Sequence, residues 1–132
     1  MEIEYAWRAP LADAELVALT ESHGGRPESG WWERAQRHSL GWVSARCEGE
    51  LVGFANVAWD GAGHAFLLDP KVRPDFRHRG LGTELVRRAR DAAREAGCEW
   101  LHVDFEPHLR PFYFGACGFR STEAGVIHLA DV

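Results

Sequence analysis

The chain has 132 residues, of which 45% are hydrophobic, 11% aromatic and 27% charged, and its net charge at pH 7 is −5. This length and composition predict a single domain over 1–132 with one packed core, and they exclude a disordered chain. The acidic balance argues against nucleic acid as a partner, because binding it requires a basic face. No membrane-length apolar run, signal-peptide-like start or Cys-x-x-Cys pair occurs. We therefore expect a cytoplasmic protein with reduced cysteines and no membrane partner.

The first half of the chain predicts antiparallel strands and two helices. The predicted strands, which are short runs bounded by turn residues, are 3–5, 42–47, 51–59 and 64–72. The predicted helices are 11–20 and 31–40. The turn Glu48-Gly49-Glu50 joins two of the strands into a hairpin, and the glycine-containing segment 22–27 forms a loop between the helices.

The second half predicts a long helix that leads into a parallel strand. Pro74 ends the preceding strand, and the helix over 82–96 stops at Gly97. Its apolar stripe consists of Leu81, Leu85, Val86, Ala89, Ala92, Ala93 and Ala96. A strand, a helix and a strand imply a right-handed parallel crossover. The remaining predicted elements are a strand at 100–105, a short helix at 111–116 and terminal strands at 119–122 and 126–129.

The most informative stretch, Arg77-His78-Arg79-Gly80-Leu81-Gly82, lies immediately before this helix. The two glycines let backbone N–H groups converge with no Cβ in the way, and the helix start adds unpaired N–H groups and the positive end of its dipole. Arg77 and Arg79 add charged donors. The stretch therefore predicts a phosphate-bearing ligand, and the alternative is an ordinary glycine-capped loop.

Two motifs resemble a known family. Arg-x-x-Gly-x-Gly between a strand and a long helix resembles motif A of the GNAT acyltransferases, which holds the pyrophosphate of acetyl-CoA. The segment 109–119, with its Phe-Tyr pair and following Gly-Phe, resembles the C-terminal motif of the same enzymes. The order of elements resembles the GNAT fold over nearly the whole chain. That fold is α/β, and here it implies a mixed, mostly antiparallel sheet of six to seven strands flanked by about four helices.

The resemblance also implies a cofactor site. In the family, the strand before the glycine loop separates from its neighbour, and its exposed backbone pairs with pantetheine; in this chain that role falls to Val72. The residues implied at acetyl-CoA are Val72, Arg73, Arg77, His78, Arg79, Gly80, Leu81, Gly82, Thr83 and Phe112. Tyr113 is implied as the acid that protonates the departing thiolate, and the alternative is an aromatic core residue.

The group that accepts the amine proton is predicted less sharply. His102 and Asp104 project from one face of their strand, and Glu106 continues this polar row past the strand end. Glu106 is the favoured base or amine anchor, and His64 and Asp104 are alternatives. In two further interpretations, water accepts the amine proton, or the polar row is only solvated and has no catalytic role. His102 is a candidate contact for the acceptor. A metal site is not expected, since residues along one strand at ~3.3 Å each do not converge on one ion.

Trp31 and Trp32 lie where the family varies its acceptor pocket, so they are predicted either to line that pocket, to anchor the second helix or to form a dimer contact. The leading hypothesis is an N-acetyltransferase that moves the acetyl group of acetyl-CoA to a primary amine of a small molecule or peptide by direct attack in a ternary complex. The alternatives are a catalytically weak or inactive acyl-CoA sensor and a nucleotide-binding regulatory domain. The sequence does not specify the oligomeric state; members of the family often form dimers, so a homodimer is one of the open alternatives.

Overall fold

The computed structural model describes residues 2–132, and the strands of this range form one sheet in the order β1-β2-β3-β4-β5. The strands are β1 (Ile3–Trp7), β2 (Ser39–Cys47), β3 (Glu50–Trp59), β4 (His64–Val72) and β5 (Trp100–His102). The helices are α1 (Asp13–Glu21), α2 (Trp31–Ala35), α3 (Leu81–Glu95) and α4 (Pro111–Ala116), the last with π-helical spacing. Neighbouring strands from β1 to β4 are antiparallel, and β4 and β5 are parallel. The predicted mixed, mostly antiparallel sheet with about four helices is confirmed.

The β2–β3 hairpin forms where the turn residues predict it. Cys47 and Glu50 face each other in the ladder, so that Glu48 and Gly49 alone make the connection. Both have positive φ angles, 50° at Glu48 and 83° at Gly49. Two successive positive φ angles match the right-handed twist of the two strands, and glycine adopts this conformation without a steric penalty.

Helix α3 covers one face of the sheet and makes the predicted crossover between β4 and β5. Its buried residues are Leu81, Leu85, Val86, Ala89 and Ala93, whereas Ala92 is half-buried and Ala96 is exposed. They pack with residues of β2, β3 and β4 in the larger core cluster. The helix ends at Glu95; Gly97, two residues later, has a φ of 94°, and Cys98 N–H donates to Ala93 C=O at 3.0 Å. This left-handed cap satisfies a carbonyl that the end of the helix leaves without a partner.

Helices α1 and α2 cover the opposite face, which places helices on both sides of the sheet as predicted. Leu16 and Leu19 of α1 are buried here, and Trp32 of α2 packs edge-on against Trp42 and Phe54 with ring centroids 5.0 and 5.2 Å apart. Among residues 2–132, no helix has the combination of length and apolar character needed to cross a membrane.

Several predicted boundaries are wrong, above all at the C-terminus. The sheet has five strands rather than six to seven, because 119–122 and 126–129 do not form strands. After α4 the chain turns back at Gly118, and Phe119 N–H donates to Tyr113 C=O at 2.9 Å instead of entering a ladder. A strand needs a partner edge as well as an alternating pattern, and local alternation cannot reveal the partner. Similarly, β5 ends at His102 rather than at 105, and α2 ends at Ala35 rather than at 40.

One leucine in the core and one in the C-terminal tail provide a test of this architecture. We expect Leu85→Ala to lower the free energy of unfolding by about 2 to 5 kcal/mol, because Leu85 is 0% exposed between α3 and the sheet. Leu129→Ala is the matched control and should change it by less than about 0.5 kcal/mol, since Leu129 is 81% exposed. Urea unfolding followed by circular dichroism measures both. Equal losses would mean that the tail packs like a strand of the sheet.

Candidate active site

Strands β4 and β5 separate soon after they begin. Their parallel pairing runs only from His64 opposite Trp100 to Phe66 opposite His102, although β4 continues to Val72. On the other side, β4 stays paired with β3 as far as Val72. The edge of β4 that faces away from β3 is therefore without a strand partner over its last six residues. This leaves a wedge-shaped gap between 67–72 and 103–105, which we call the β4–β5 gap.

A bulge interrupts β4 beside this gap. In the β3–β4 ladder, Asn56 faces Leu68 and Phe54 faces Lys71, so Ala55 alone lies opposite the two residues 69–70. Asp69 has a φ of 55°, which is rare for a residue with a side chain. The next residue is proline, which has no N–H to donate. Bulges of this kind redirect side chains and backbone groups, and they are frequent next to active sites.

The backbone of Val72 is open towards the gap. Val72 faces Gly53 in the antiparallel ladder, and the flanking bond runs from Arg73 N–H to Val52 C=O at 2.8 Å. Bonds that flank a pair in this way identify it as a pair whose own N–H and C=O groups point away from each other. The N–H and C=O of Val72 therefore point away from β3, whereas the N–H of Arg73 is used within the sheet.

Beyond Val72 the chain makes a turn at Pro74–Phe76 and enters the start of α3. Gly80 precedes the helix with a φ of 80°, and Glu84 N–H donates the first helical bond to Gly80 C=O at 3.1 Å. The N–H groups of Leu81, Gly82 and Thr83 consequently have no acceptor within the helix. The Leu81 side chain is buried in the core, so this residue offers a ligand only its backbone. The dipole of α3 adds positive potential at the same point.

The arginines of the loop differ in how free they are to bind a ligand. Arg73 is held by two carboxylates, at 2.7 Å from Asp75 Oδ1 and 3.1 Å from Glu50 Oε2. Arg77 and Arg79 are exposed and make no ion pair among residues 2–132. The Arg79 guanidinium lies 5.0 Å from the centre of the Phe76 ring. Arg77 and Arg79 are therefore available to an anion at the start of α3, and the Arg73 side chain is not.

His23, in the loop after α1, contacts both parts of the site. Its Nδ1 lies 3.0 Å from Nη2 of Arg77, and its ring also hydrogen-bonds to the backbone of Val72. Because arginine can only donate, Nδ1 must accept, and the other ring nitrogen donates to the Val72 carbonyl. Desolvation lowers the pKa of His23, which keeps the ring neutral and compatible with this bridge.

Phe112 and Tyr113 connect α4 to the start of α3. An added Cβ on Gly82 would lie 3.2 Å from Cζ of Phe112, a tight contact that the Phe112 ring could relieve only by shifting away from the start of α3. Tyr113 is 4% exposed and stacks on Phe105 with ring centroids 4.5 Å apart. Within residues 2–132 no protein group forms a hydrogen bond with its hydroxyl. Tyr113 is thus buried, as expected of an aromatic core residue. Its hydroxyl is nevertheless free to donate, as expected of an acid that protonates the thiolate.

The surroundings of Tyr113 favour its protonated form. Burial, together with the negative charges of Cys117 and Asp104 when ionised, raises the pKa of Tyr113 to about 12. Burial also raises the pKa of Cys117 to about 11, so its thiol is protonated and weakly nucleophilic at neutral pH. Tyr113 is therefore a hydrogen-bond donor at physiological pH, and full proton release from it is more difficult than from an ordinary phenol.

The structure brings only part of the predicted polar row to the gap. If the β4–β5 register continued, Asp104 would lie opposite Leu68, and the charge of Asp104 contributes to the raised pKa of Tyr113. Glu106 is exposed at the entry to the turn Pro107–Leu109. His64 and His102 instead contact each other, with Nδ1 and Nε2 2.8 Å apart, where the two strands are still paired. His64 therefore lies away from the gap.

The two tryptophans have different positions. Trp32 is 2% exposed inside the core cluster, which matches its interpretation as an anchor of α2 and removes it from the acceptor pocket. Trp31 is half-buried, and its ring lies 5.8 Å from the Lys71 ammonium on the face of the sheet covered by α1 and α2. Lys71 also donates to Thr20 Oγ1 at 3.0 Å. Trp31 therefore lies beside the end of β4 that carries the bulge.

Comparison with known proteins identifies the family. A model described as "Acetyltransferase (GNAT) family" matches residues 7–119, and the chain belongs to this family. Streptothricin acetyltransferase of Streptomyces lavendulae is 34% identical over 102 residues, which are 75% of this chain and 54% of that protein. Mycothiol acetyltransferase of Nocardia farcinica is 39% identical over 96 residues, which are 73% of this chain and 27% of that protein.

Solved structures agree on the fold. The aminoglycoside N-acetyltransferase AAC(6')-Iy, in complex with a bisubstrate analogue built on CoA, superposes with a TM-score of 0.77 at 20% identity, and the match covers 97% of each chain. The predicted GNAT fold is therefore confirmed. The chain spans about half of the first curated relative and about a quarter of the second. The two relatives are named for different molecules, streptothricin and mycothiol.

Two groups that the sequence analysis missed are now visible. Asp69 was part of a predicted strand, and nothing in its neighbours other than Pro70 signals a bulge there. His23 was part of a predicted loop, and its contacts with Arg77 and Val72 span more than 45 residues of chain. A proline inside a strand pattern is the signal for the first, because it favours a bulge or an unpaired edge.

The state of Tyr113 can be measured directly. We expect no phenol to ionise at the usual midpoint near 10 in the folded protein, since the pKa of Tyr5 is also raised, by desolvation. These are the two tyrosines of the chain. Ultraviolet absorbance of the phenolate, followed against pH, gives the midpoints. In urea both should return to about 10. A folded-state midpoint near 10 for Tyr113, assigned with Tyr5→Phe, would contradict the burial argument.

Proposed function

We propose that this chain transfers an acetyl group from acetyl-CoA to a primary amine of a small molecule or peptide. The observation that carries the proposal is the continuity of one path: the β4–β5 gap leads along Val72 directly to the uncapped start of α3. A long ligand with an extended amide arm and a pyrophosphate matches such a path, because the arm can pair with free backbone groups and the phosphates with helix N–H groups. A single sheet shared by both core clusters supports one domain.

The residues present fit acetyl-CoA. The N–H and C=O of Val72 would pair with the pantetheine arm, and the N–H groups that follow Gly80 would hold the pyrophosphate with Arg77 and Arg79. His78 and Thr83 border this loop with exposed and half-buried side chains. Acetyl-CoA supplies an acyl group activated as a thioester. His23 now hydrogen-bonds the carbonyl of Val72 that the arm would use, so the loop after α1 has to move aside when acetyl-CoA binds.

The chain's own groups would serve the transfer as follows. An amine in its uncharged form attacks the thioester carbonyl, and direct attack is favoured because Cys117 is held as a protonated thiol. Tyr113 gives its proton to the sulfur as the carbon–sulfur bond breaks with its electron pair on sulfur, and a proton that the nitrogen loses restores the phenol. Asp104 and Glu106 lie on the side from which the amine arrives, and either carboxylate would attract a protonated amine to the gap. Asp104 also helps to keep Tyr113 protonated.

Binding of acetyl-CoA tests the phosphate-binding loop. We expect Arg77→Gln to raise the Kd for acetyl-CoA about tenfold, because one charge-assisted hydrogen bond to phosphate contributes roughly 1.5 to 3 kcal/mol. Arg94→Gln removes an exposed charge from the last turn of α3 and is the matched control. Isothermal titration calorimetry measures both. Unchanged affinity in the first variant, or tighter binding of ATP than of acetyl-CoA, would favour a different ligand.

Turnover is tested by thiol release. We expect the protein to release CoA thiol from acetyl-CoA when given amines from a panel of an aminoglycoside, spermidine, glucosamine, a lysine peptide and benzylamine. Tyr113→Phe should lower kcat about 10²- to 10⁴-fold, the usual range for a proton donor, while acetyl-CoA affinity stays within about twofold. Leu129→Ala serves as the control. Tight acetyl-CoA binding without thiol release from any amine would support the sensor alternative instead.

A further inference from the structure

The segment that follows α1 is fixed against the end of β4. The ammonium of Lys71, on β4, donates to Thr20 Oγ1 in the last turn of α1 at 3.0 Å. The chain then turns back on this end of the helix, where the N–H groups of His23 and Gly25 both donate to the Thr20 carbonyl, at 3.0 and 3.2 Å. A compact turn therefore holds His23 beside β4.

The imidazole of His23 contacts two groups that the proposed site would offer to acetyl-CoA. Its Nδ1 accepts from Nη2 of Arg77 at 3.0 Å, and its other nitrogen donates to the carbonyl of Val72. Arg77 is a guanidinium available to the pyrophosphate, and Val72 is the open backbone available to the pantetheine arm. One side chain thus covers both the phosphate end and the arm end of the path, although it belongs to neither β4 nor α3.

This double contact requires an uncharged ring. A protonated imidazole carries a hydrogen on both nitrogens, so its Nδ1 could no longer accept from a guanidinium. Two positive charges would then face each other where Nδ1 of His23 and Nη2 of Arg77 are 3.0 Å apart. Protonation of His23 would therefore break its contact with Arg77.

The surroundings of the ring keep it uncharged. Desolvation lowers the pKa of His23, and the charges of Arg77, from the loop before α3, and Lys71, from β4, lower it further. The bond to the backbone of β4 acts in the opposite direction and is outweighed. The other charged residues of this segment, Glu21 and Arg26, are exposed. At pH 7 the ring is neutral, which is the form that the double contact requires.

We propose that His23 is a latch that closes the acetyl-CoA site in the ligand-free protein and opens when the ligand replaces it at Arg77 and Val72. This inference rests on the proposed acetyl transfer and adds a control of acetyl-CoA binding to it. The ligand and the latch compete for the same donor and the same carbonyl, so part of the binding free energy is used to release the ring. The observed Kd therefore exceeds that of the open protein by the inverse of the open fraction.

The latch makes the affinity for acetyl-CoA depend on pH. In the open form His23 has the ordinary histidine pKa of about 6.5, whereas in the closed form its pKa is lower. Protons therefore bind the open form in preference. The latch is at full strength above about pH 6.5, and it weakens as the pH falls below this value.

Affinity measurements test the latch. We expect His23→Ala to lower the Kd for acetyl-CoA about three- to tenfold at pH 8, the effect of losing one ordinary hydrogen bond from the closed form. At pH 5.5 the two Kd values should agree within about twofold, because the wild-type ring is then protonated. His38→Gln replaces another exposed histidine, at the entry to β2, and is the matched control. Isothermal titration calorimetry gives these values, and the ratio of two Kd values at one pH cancels protonation of the ligand.

A double-mutant cycle separates the latch from a general effect of the loop. Arg77→Ala removes one end of the latch together with a phosphate contact, so its own Kd is expected to rise. In this background His23→Ala should change the Kd by about twofold or less at pH 8, because only the contact with Val72 remains to be lost. An equal gain in affinity in both backgrounds would mean that His23 acts without Arg77 and would overturn the latch.

The contact can be observed without acetyl-CoA. Proton–nitrogen NMR follows the ring of His23 against pH, and its signals are assigned by their loss in His23→Ala. We expect the pKa of His23 to lie below about 6.5 in ligand-free wild type and to rise in Arg77→Ala, which removes a nearby positive charge. Saturation with CoA should raise it to about 6.5 or above, because the released ring is solvated. An identical pKa in ligand-free wild type and Arg77→Ala would contradict the inference.

The possible failures are distinguishable. If acetyl-CoA binds wild type and His23→Ala equally at pH 8, the latch is refuted and the proposed acetyl transfer stands. Weaker binding to His23→Ala would mean that His23 holds the ligand rather than excludes it, which equally refutes the latch. If acetyl-CoA binds neither protein, the proposed acetyl transfer fails and the latch fails with it, even where NMR finds the contact.

Discussion

The site depends on the unequal pairing of β4 with its two neighbours. β4 is paired with β3 up to Val72, but with β5 only from His64 to Phe66. The pairing with β3 holds the backbone of β4 in an extended conformation up to Val72, including the edge that has no partner on the other side. Backbone groups that would otherwise satisfy a neighbouring strand are left for a ligand, at fixed positions and without any contribution from side chains.

Helix α3 makes the end of this edge an anion site. Its apolar stripe is buried against the sheet, and this packing directs the first turn towards the end of β4. The free N–H groups and the dipole therefore lie where the open backbone of Val72 ends. Tyr113 approaches from the other side of the gap through the contact between Phe112 and Gly82. The three parts belong to different elements, but one core cluster holds them together.

Much of this arrangement is present in local sequence patterns. Three features are where the sequence predicts them: the bounds of β4, the hairpin at Glu48 and the glycine start of α3. Each depends on residues that are close together in the sequence. The terminal strands were wrong because their alternation has no partner edge to pair with. The exclusion of Trp32 from the pocket, the bulge at Asp69 and the bridge through His23 depend on contacts between distant segments, which one sequence without its fold does not show.

Pro70 gives the gap a further property. The unpaired backbone groups of two neighbouring parallel strands tend to form hydrogen bonds with each other. Such pairing would close an empty cleft between the strands. At 70 the chain has no amide hydrogen, and the bulge around it shifts the groups on either side out of step. The β4–β5 pairing ends earlier, at Phe66, and any extension of it along β4 would meet a missing donor and a changed register at this point. The same defect weakens this edge as a template for the strand of another molecule, because a ladder along it would lack one hydrogen bond and lose its register.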